Sequence, residues 1–177
     1  KSAPSAAAIK VGEPNLTMTK TIVSGATGTD AGGTVRWQFT VANVGTVTAY
    51  QQNIRDQLPD HLNNINIVSV TPTGSVYPNV AGCGTGTAVG TGNAAVTTTT
   101  NTNDTLTIAG ICMAPGATLT VQYDTKVMNT AVAAEVLTNT VRSNYASQAT
   151  GASGSAVVRD GADASTDDDT DPTATCD

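Results

Sequence analysis

Charge and aromatic rings are what this sequence has least of. Asp, Glu, Lys and Arg make up 12% of its 177 residues, and aromatic residues only 3%, with one Trp, one Phe and four Tyr. Helix-favouring Glu and Lys are therefore sparse, and no segment sustains a 3.6-residue apolar period. At most Ala131–Val136 makes one helical turn. The single histidine, His61, stands beside Asp60 after a Leu-Pro turn, with no Ser or Cys elbow near it. A phosphate loop, a dinucleotide fingerprint and a paired-Glu site are all missing, so the chain reads as non-enzymatic. No apolar run is long enough to span a bilayer. A nearly neutral body with an acidic end argues against nucleic acid as a partner, since that needs a basic patch. Position 1 is Lys, which suggests a processed chain, so a missing targeting segment says nothing about any precursor.

What is present is β-forming. Hydrophobic residues still reach 39%, with 17 Gly and abundant Thr, so the low charge does not signal disorder. Thr, Val and Ile are stiff at χ1 and suit a pleated surface. Period-2 alternation then marks the strands. In Asn15–Val23, Leu16, Met18, Lys20 and Ile22 share a face. Thr34–Val44 is the clearest strand, with Val35, Trp37, Phe39 and Val41 pointing one way. Tyr50–Asp56 leads into Leu58-Pro59, and Asn64–Thr71 is apolar on both faces, as in a central strand. Residues 82–104 read as a long Gly/Thr-rich loop with a weak strand near Val96. Thr105–Ile111, Ala117–Met128, Val136–Tyr145 and Ala156–Arg159 complete the set. Seven to nine strands separated by turns predict an all-β, immunoglobulin-like two-sheet sandwich with Greek-key connections.

The body spans residues 14–159, between an N-terminal extension (1–13) and an Asp-rich C-terminal segment (160–177). The extension places Ala7, Ile9 and Val11 on one face. It is too short to be stable alone, but it suits donation as an extra strand to a neighbouring copy, and a head-to-tail contact of that kind builds a filament. The alternative is a frayed terminus. The tail holds seven of the 14 acidic residues and no Lys or Arg, leaving the body close to neutral. Asp160, Asp163, Asp167, Asp168, Asp169 and Asp171 are close enough in sequence to supply oxygen ligands to calcium, although the spacing is not that of an EF-hand. A solvated acidic linker is the other reading.

Several side chains invite covalent chemistry. Cys83 and Cys112 flank the Gly/Thr-rich loop, and in an extracellular domain a disulfide between them would close it. Such a closure stabilises by roughly 3–4 kcal/mol in the chain-entropy model. Cys176 is then left free or joined to another subunit. Asn15 and Asn103 begin glycosylation sequons, the second in a polar loop. Lys20 is in phase with Leu16, Met18 and Ile22, Asp56 with Ile54 and Leu58, and Asn139 with Leu137 and Val141. Lys, Asn and an enclosed acid on apolar faces are the ingredients of a self-formed Lys–Asn isopeptide bond, in a plan that resembles that of pilin and adhesin domains. On sequence alone the plainer reading is preferred, because in-phase side chains are common without chemistry. There Lys20 snorkels to the rim, Asn139 pairs with backbone and Asp56 caps the Leu-Pro turn.

The runs PNLTMTK, GGTVRWQFTVANVGTVTAYQQNIRDQLP, IAGICMAPGATLTVQY and LTNTV occur in this order over roughly residues 14–145. Together they resemble the conserved repeat domain of prokaryotic surface proteins, long known only as a domain of unknown function. The resemblance implies an immunoglobulin-like sandwich on a cell surface, structural or adhesive, without catalysis. Such domains are usually strung in tandem, whereas this chain carries one copy, so polymerisation would supply the repetition. The expectation is therefore an extracellular or cell-surface structural subunit that assembles with copies of itself, with calcium stabilising the contacts. The alternative is an adhesin module that binds surface glycans or protein, which the scarcity of aromatics disfavours.

Overall fold

The computed structural model of the chain describes residues 8–10, 12–25, 29–78, 88–93, 95–99, 104–149 and 158–160. Ten strands account for most of them: β1 (Leu16–Ser24), β2 (Thr34–Asn43), β3 (Ala49–Gln57), β4 (Leu62–Thr73), β5 (Val76–Pro78), β6 (Val96–Thr99), β7 (Thr105–Met113), β8 (Thr118–Val127), β9 (Thr140–Ala146) and β10 (Val158–Asp160). They form two sheets in which every pairing is antiparallel. One sheet runs β1-β2-β8-β4, and the other β10-β9-β3-β7-β5, with β6 also paired to β7.

That order is immunoglobulin-like in detail. The first sheet reproduces the A-B-E-D arrangement of a constant-type domain, and β10-β9-β3 reproduces G-F-C. Strands β5, β6 and β7 lie between D and E in sequence and extend the second sheet beyond β3. The alternation predicted for β2 and β8 is what fills the interior. Val35, Trp37, Phe39 and Val41 stand opposite Thr125, Tyr123, Val121 and Leu119 across the register, and all are buried. From the second sheet come Ile54, Leu106, Ile108, Ile111 and Val141.

Three sequence expectations differ from the structure. Strand β4 is an edge strand, not a central one, and it is irregular: its register with β8 shifts between Asn63 and Asn66 and again between Ile67 and Ser69. Bulges of this kind blunt an exposed edge, and they explain why an apolar run on both faces ends only partly buried. The strand expected from Val136 begins only at Thr140. Residues 128–139 instead follow turns, with Ala131 N–H donating to Met128 and Glu135 N–H to Val132. No helical turn forms at Ala131–Val136, and Val132 and Val136 are exposed.

The Asn-Val-Gly ending of β2 has a specific physical basis. Asn43 is fully buried, and its Nδ2 donates to the carbonyls of Val47 (2.8 Å) and Met113 (2.9 Å). Its Oδ1 accepts from the backbone N–H groups of Gly45 (3.0 Å) and Asn15 (3.3 Å). One side chain thereby ties the approach to β1, the β2–β3 turn and the end of β7. Gly45 is required because a Cβ there would lie 2.4 Å from the Asn15 nitrogen and 2.6 Å from the Glu13 carbonyl oxygen. Asn43→Ala is expected to cost on the order of 2–4 kcal/mol in urea unfolding, since buried backbone groups lose their partners. A loss below about 0.5 kcal/mol, the size of an ordinary surface change, would contradict this role.

Candidate functional site

The most unusual chemistry lies between the sheets. Lys20 occupies the middle of β1, paired across the ladder with Phe39, so its side chain shares the inward phase of Leu16 and Met18. The long stem carries the ammonium into the interior, where its side chain is 10% exposed. Nζ donates to Asp56 Oδ2 at 2.6 Å, and the Asp56 side chain, on β3 of the opposite sheet, is only 1% exposed. The same Oδ2 accepts from the Tyr123 hydroxyl of β8 at 2.5 Å. Asn139, one residue ahead of β9, donates from Nδ2 to that hydroxyl oxygen at 2.9 Å. Lys20 Nζ also sits 5.3 Å from the centre of the Trp37 ring and 5.6 Å from that of Tyr123, within cation–π range.

All three residues singled out as isopeptide candidates therefore converge, and the plainer reading fails at each. Lys20 does not snorkel to the rim; Asn139 bonds to a side chain; and Asp56 does not cap the Leu-Pro turn. Asp104 takes that last role, its carboxylate accepting from Asn64 N–H and its carbonyl from Leu58 N–H. Tyr123 was legible as an inward residue but not as a member of the site. The available signal was that a buried tyrosine hydroxyl needs a partner, and β8 offers no other inward tyrosine.

Burial governs the electrostatics. Removal from water lowers the Lys20 pKa, against the opposing pull of Asp56. Burial likewise raises the Asp56 pKa, opposed by the Lys20 charge and by bonds from Lys20 and Tyr123. Both shifts disfavour the charged form of the group concerned. Tyr123 is pushed far above the ordinary phenol range, first by burial and then by the Asp56 charge, so its hydroxyl stays protonated. Among the described residues Asp56 Oδ1 and Asn139 Oδ1 are buried without a hydrogen-bond partner, an unrelieved cost for a merely structural cluster.

Lys20→Met would leave the Asp56 carboxyl enclosed without its cation, a loss of about 3–5 kcal/mol near neutral pH. A carboxyl whose folded pKa exceeds its unfolded value takes up a proton on folding. Its penalty is therefore absent below about pH 4 and grows as pH rises through the window up to the folded value. Measured against Asn139→Ala, which keeps the Lys20 ammonium, the deficit of Lys20→Met in denaturant unfolding should thus narrow on acidification towards pH 4. A deficit independent of pH would contradict the ionic account.

The remaining sequence candidates fall elsewhere. Cys112 is fully buried in β7 and is not a free thiol; Cys83 and Cys176 lie outside the described residues. Of the donor-strand candidates, Ile9 is 93% exposed outside any strand, and Ala7 and Val11 lie outside the described residues. Asp160 ends β10, its side chain undescribed, and Asp163, Asp167, Asp168, Asp169 and Asp171 lie outside the described residues. Among the described residues no three His, Cys, Asp or Glu side chains gather as a metal site. Asn15 is exposed just ahead of β1, while Asn103 lies outside the described residues. His61, expected to be a lone loop histidine, is 2.8 Å from Glu135 through Nδ1 and clasps the 128–139 segment.

No family model matches the chain, and no curated protein does. Among solved structures, the chain is similar to the pilus backbone protein RrgB of Streptococcus pneumoniae (15% identity, TM-score 0.48, covering 75% of this chain and 53% of that one). It is also similar to the collagen-binding subdomain of the Enterococcus faecalis surface protein ACE (13%, 0.43, 81% and 91%). A third likeness is to a GH20 exo-β-N-acetylglucosaminidase of Vibrio harveyi (11%, 0.44, 84% and 18%). The chain thus spans about half of the pilus protein and under a fifth of the glycosidase. These likenesses are weak.

Proposed function

We propose that this chain is a tension-carrying structural domain of an extracellular surface assembly, stapled internally by an isopeptide bond between Lys20 and Asn139. The observation that carries the reading is that Lys20 and Asn139, from opposite sheets, meet on one buried Asp56–Tyr123 pair. In the reaction Lys20 passes a proton to Asp56, and the neutral amine attacks Asn139 Cγ. The new Cγ–Nζ bond forms, the Cγ–Nδ2 bond breaks, and Nδ2 leaves as ammonia with one of the two protons Nζ gives up, the other staying on Asp56. No oxidant or cofactor is needed, and escape of ammonia makes the step one-way.

The location of the bond indicates its use. Lys20 lies on the first strand and Asn139 directly before β9, so tension applied at the two ends of the domain would pass straight through the staple. Residues 21–138, including most of the core, would bear none of it. A domain with this short circuit suits a filament or an anchored stalk. Donation of residues 1–13 to a neighbouring copy and calcium at the Asp-rich tail are consistent routes to assembly, as is a Cys83–Cys112 disulfide to fix the long loop. The adhesin alternative has less support. Trp37, Phe39, Tyr123 and Tyr145 are all buried, which leaves few rings for stacking on a glycan.

Single-molecule pulling from the chain ends tests the function. The native domain should not release residues 21–138, whereas Asn139→Ala should lengthen by about 400 Å more on unfolding. Equal extension of the two proteins would overturn the proposal.

A further inference from the structure

The reaction needs a route for protons from the attacking nitrogen to the departing one. Lys20 Nζ must shed two protons to become an amide nitrogen, and Asn139 Nδ2 must gain one to leave as ammonia. Between them runs a continuous chain of contacts. Nζ lies 2.6 Å from Asp56 Oδ2, Oδ2 lies 2.5 Å from the Tyr123 hydroxyl, and that oxygen lies 2.9 Å from Asn139 Nδ2.

Resting on the isopeptide reading, we propose that Tyr123 is a catalytic residue of bond formation: its hydroxyl relays the proton from Asp56 to the leaving nitrogen of Asn139. A phenol suits this position because its hydrogen rotates, so it can donate to Oδ2 in one state and to Nδ2 in the next. Before attack, Tyr123 donates to Asp56 and accepts from Nδ2, holding the amide by the nitrogen that will leave. Asp56 then takes a proton from Nζ, and the amine adds to Cγ. As the Cγ–Nδ2 bond breaks, Tyr123 gives its proton to Nδ2 and takes one from Asp56. The second proton on Nζ then passes to Asp56, so that Tyr123 ends as it began, Asp56 ends protonated, and one ammonia is released. The enclosing sheet–sheet interior keeps water from replacing the relay, since the Tyr123 side chain is fully buried.

A packing role alone would leave the ring essential and the hydroxyl dispensable. The test therefore keeps the ring. Wild-type, Tyr123→Phe and a chain carrying 3-fluorotyrosine at position 123 are made by pulsed cell-free translation, and loss of one ammonia is followed by intact mass. Circular dichroism checks that each has folded. Loss of general acid–base catalysis should slow Tyr123→Phe by about 10²-fold or more. The more acidic fluorinated phenol, which preserves shape and hydrogen bonds, should speed the reaction severalfold. Formation of the bond by Tyr123→Phe at the wild-type rate, or indifference to fluorination in the event that Tyr123→Phe does not fold, would overturn the relay alone. A wild-type chain that never loses ammonia would overturn the isopeptide reading, and the relay with it.

Discussion

A carboxylate sealed between two β-sheets is expensive, and the centre of this molecule is arranged around that expense. Asp56 has almost no contact with solvent, and an isolated charge there would be untenable. The structure answers with a donor from the opposite sheet on either side of Oδ2: the Lys20 ammonium from β1 and the Tyr123 hydroxyl from β8. These contacts fix the facing of the two sheets as surely as the apolar core does. They oppose burial, which pushes each partner towards its neutral form. A structure that only needed stability would do better with a hydrophobic pair of the same volume. Retention of the charged groups beside a reactive amide is what gives the cluster a chemical meaning.

The rest of the fold serves to hold that cluster. Lys20 sits on β1, which among the described strands is an edge strand paired with β2. Its anchoring therefore depends on the register with β2, and on the Asn43 network that ties the approach to β1 to the β2–β3 turn. Asn139 stands where irregular chain becomes β9, and the 128–139 segment before it is clasped by the His61–Glu135 pair. An edge strand and a loop end are the elements most easily peeled from a sandwich. Joining them covalently strengthens the domain where it is otherwise weakest.

Much of the architecture was legible in the sequence because period-2 alternation is a local signal. Strands β2 and β8 alternate without interruption, and their inward residues are those the pattern named. Lys20, Asp56 and Asn139 were legible for the same reason: each breaks an otherwise apolar phase. Their convergence was not, because it depends on how the two sheets face each other, which no local pattern encodes. Tyr123 escaped notice since a tyrosine in an apolar phase looks like core. The edge position of β4 was hidden because bulges leave no periodic trace, and the late start of β9 because the residues before it keep the strand phase while running through turns.

The central claim is that Lys20 and Asn139 become one covalent unit, and intact mass spectrometry of the purified, reduced protein tests it most directly. The account predicts a mass lower than that of the sequence by one ammonia, and a branched proteolytic peptide joining Lys20 to Asn139. A protein of full sequence mass, with both side chains recovered in separate unmodified peptides, would contradict it.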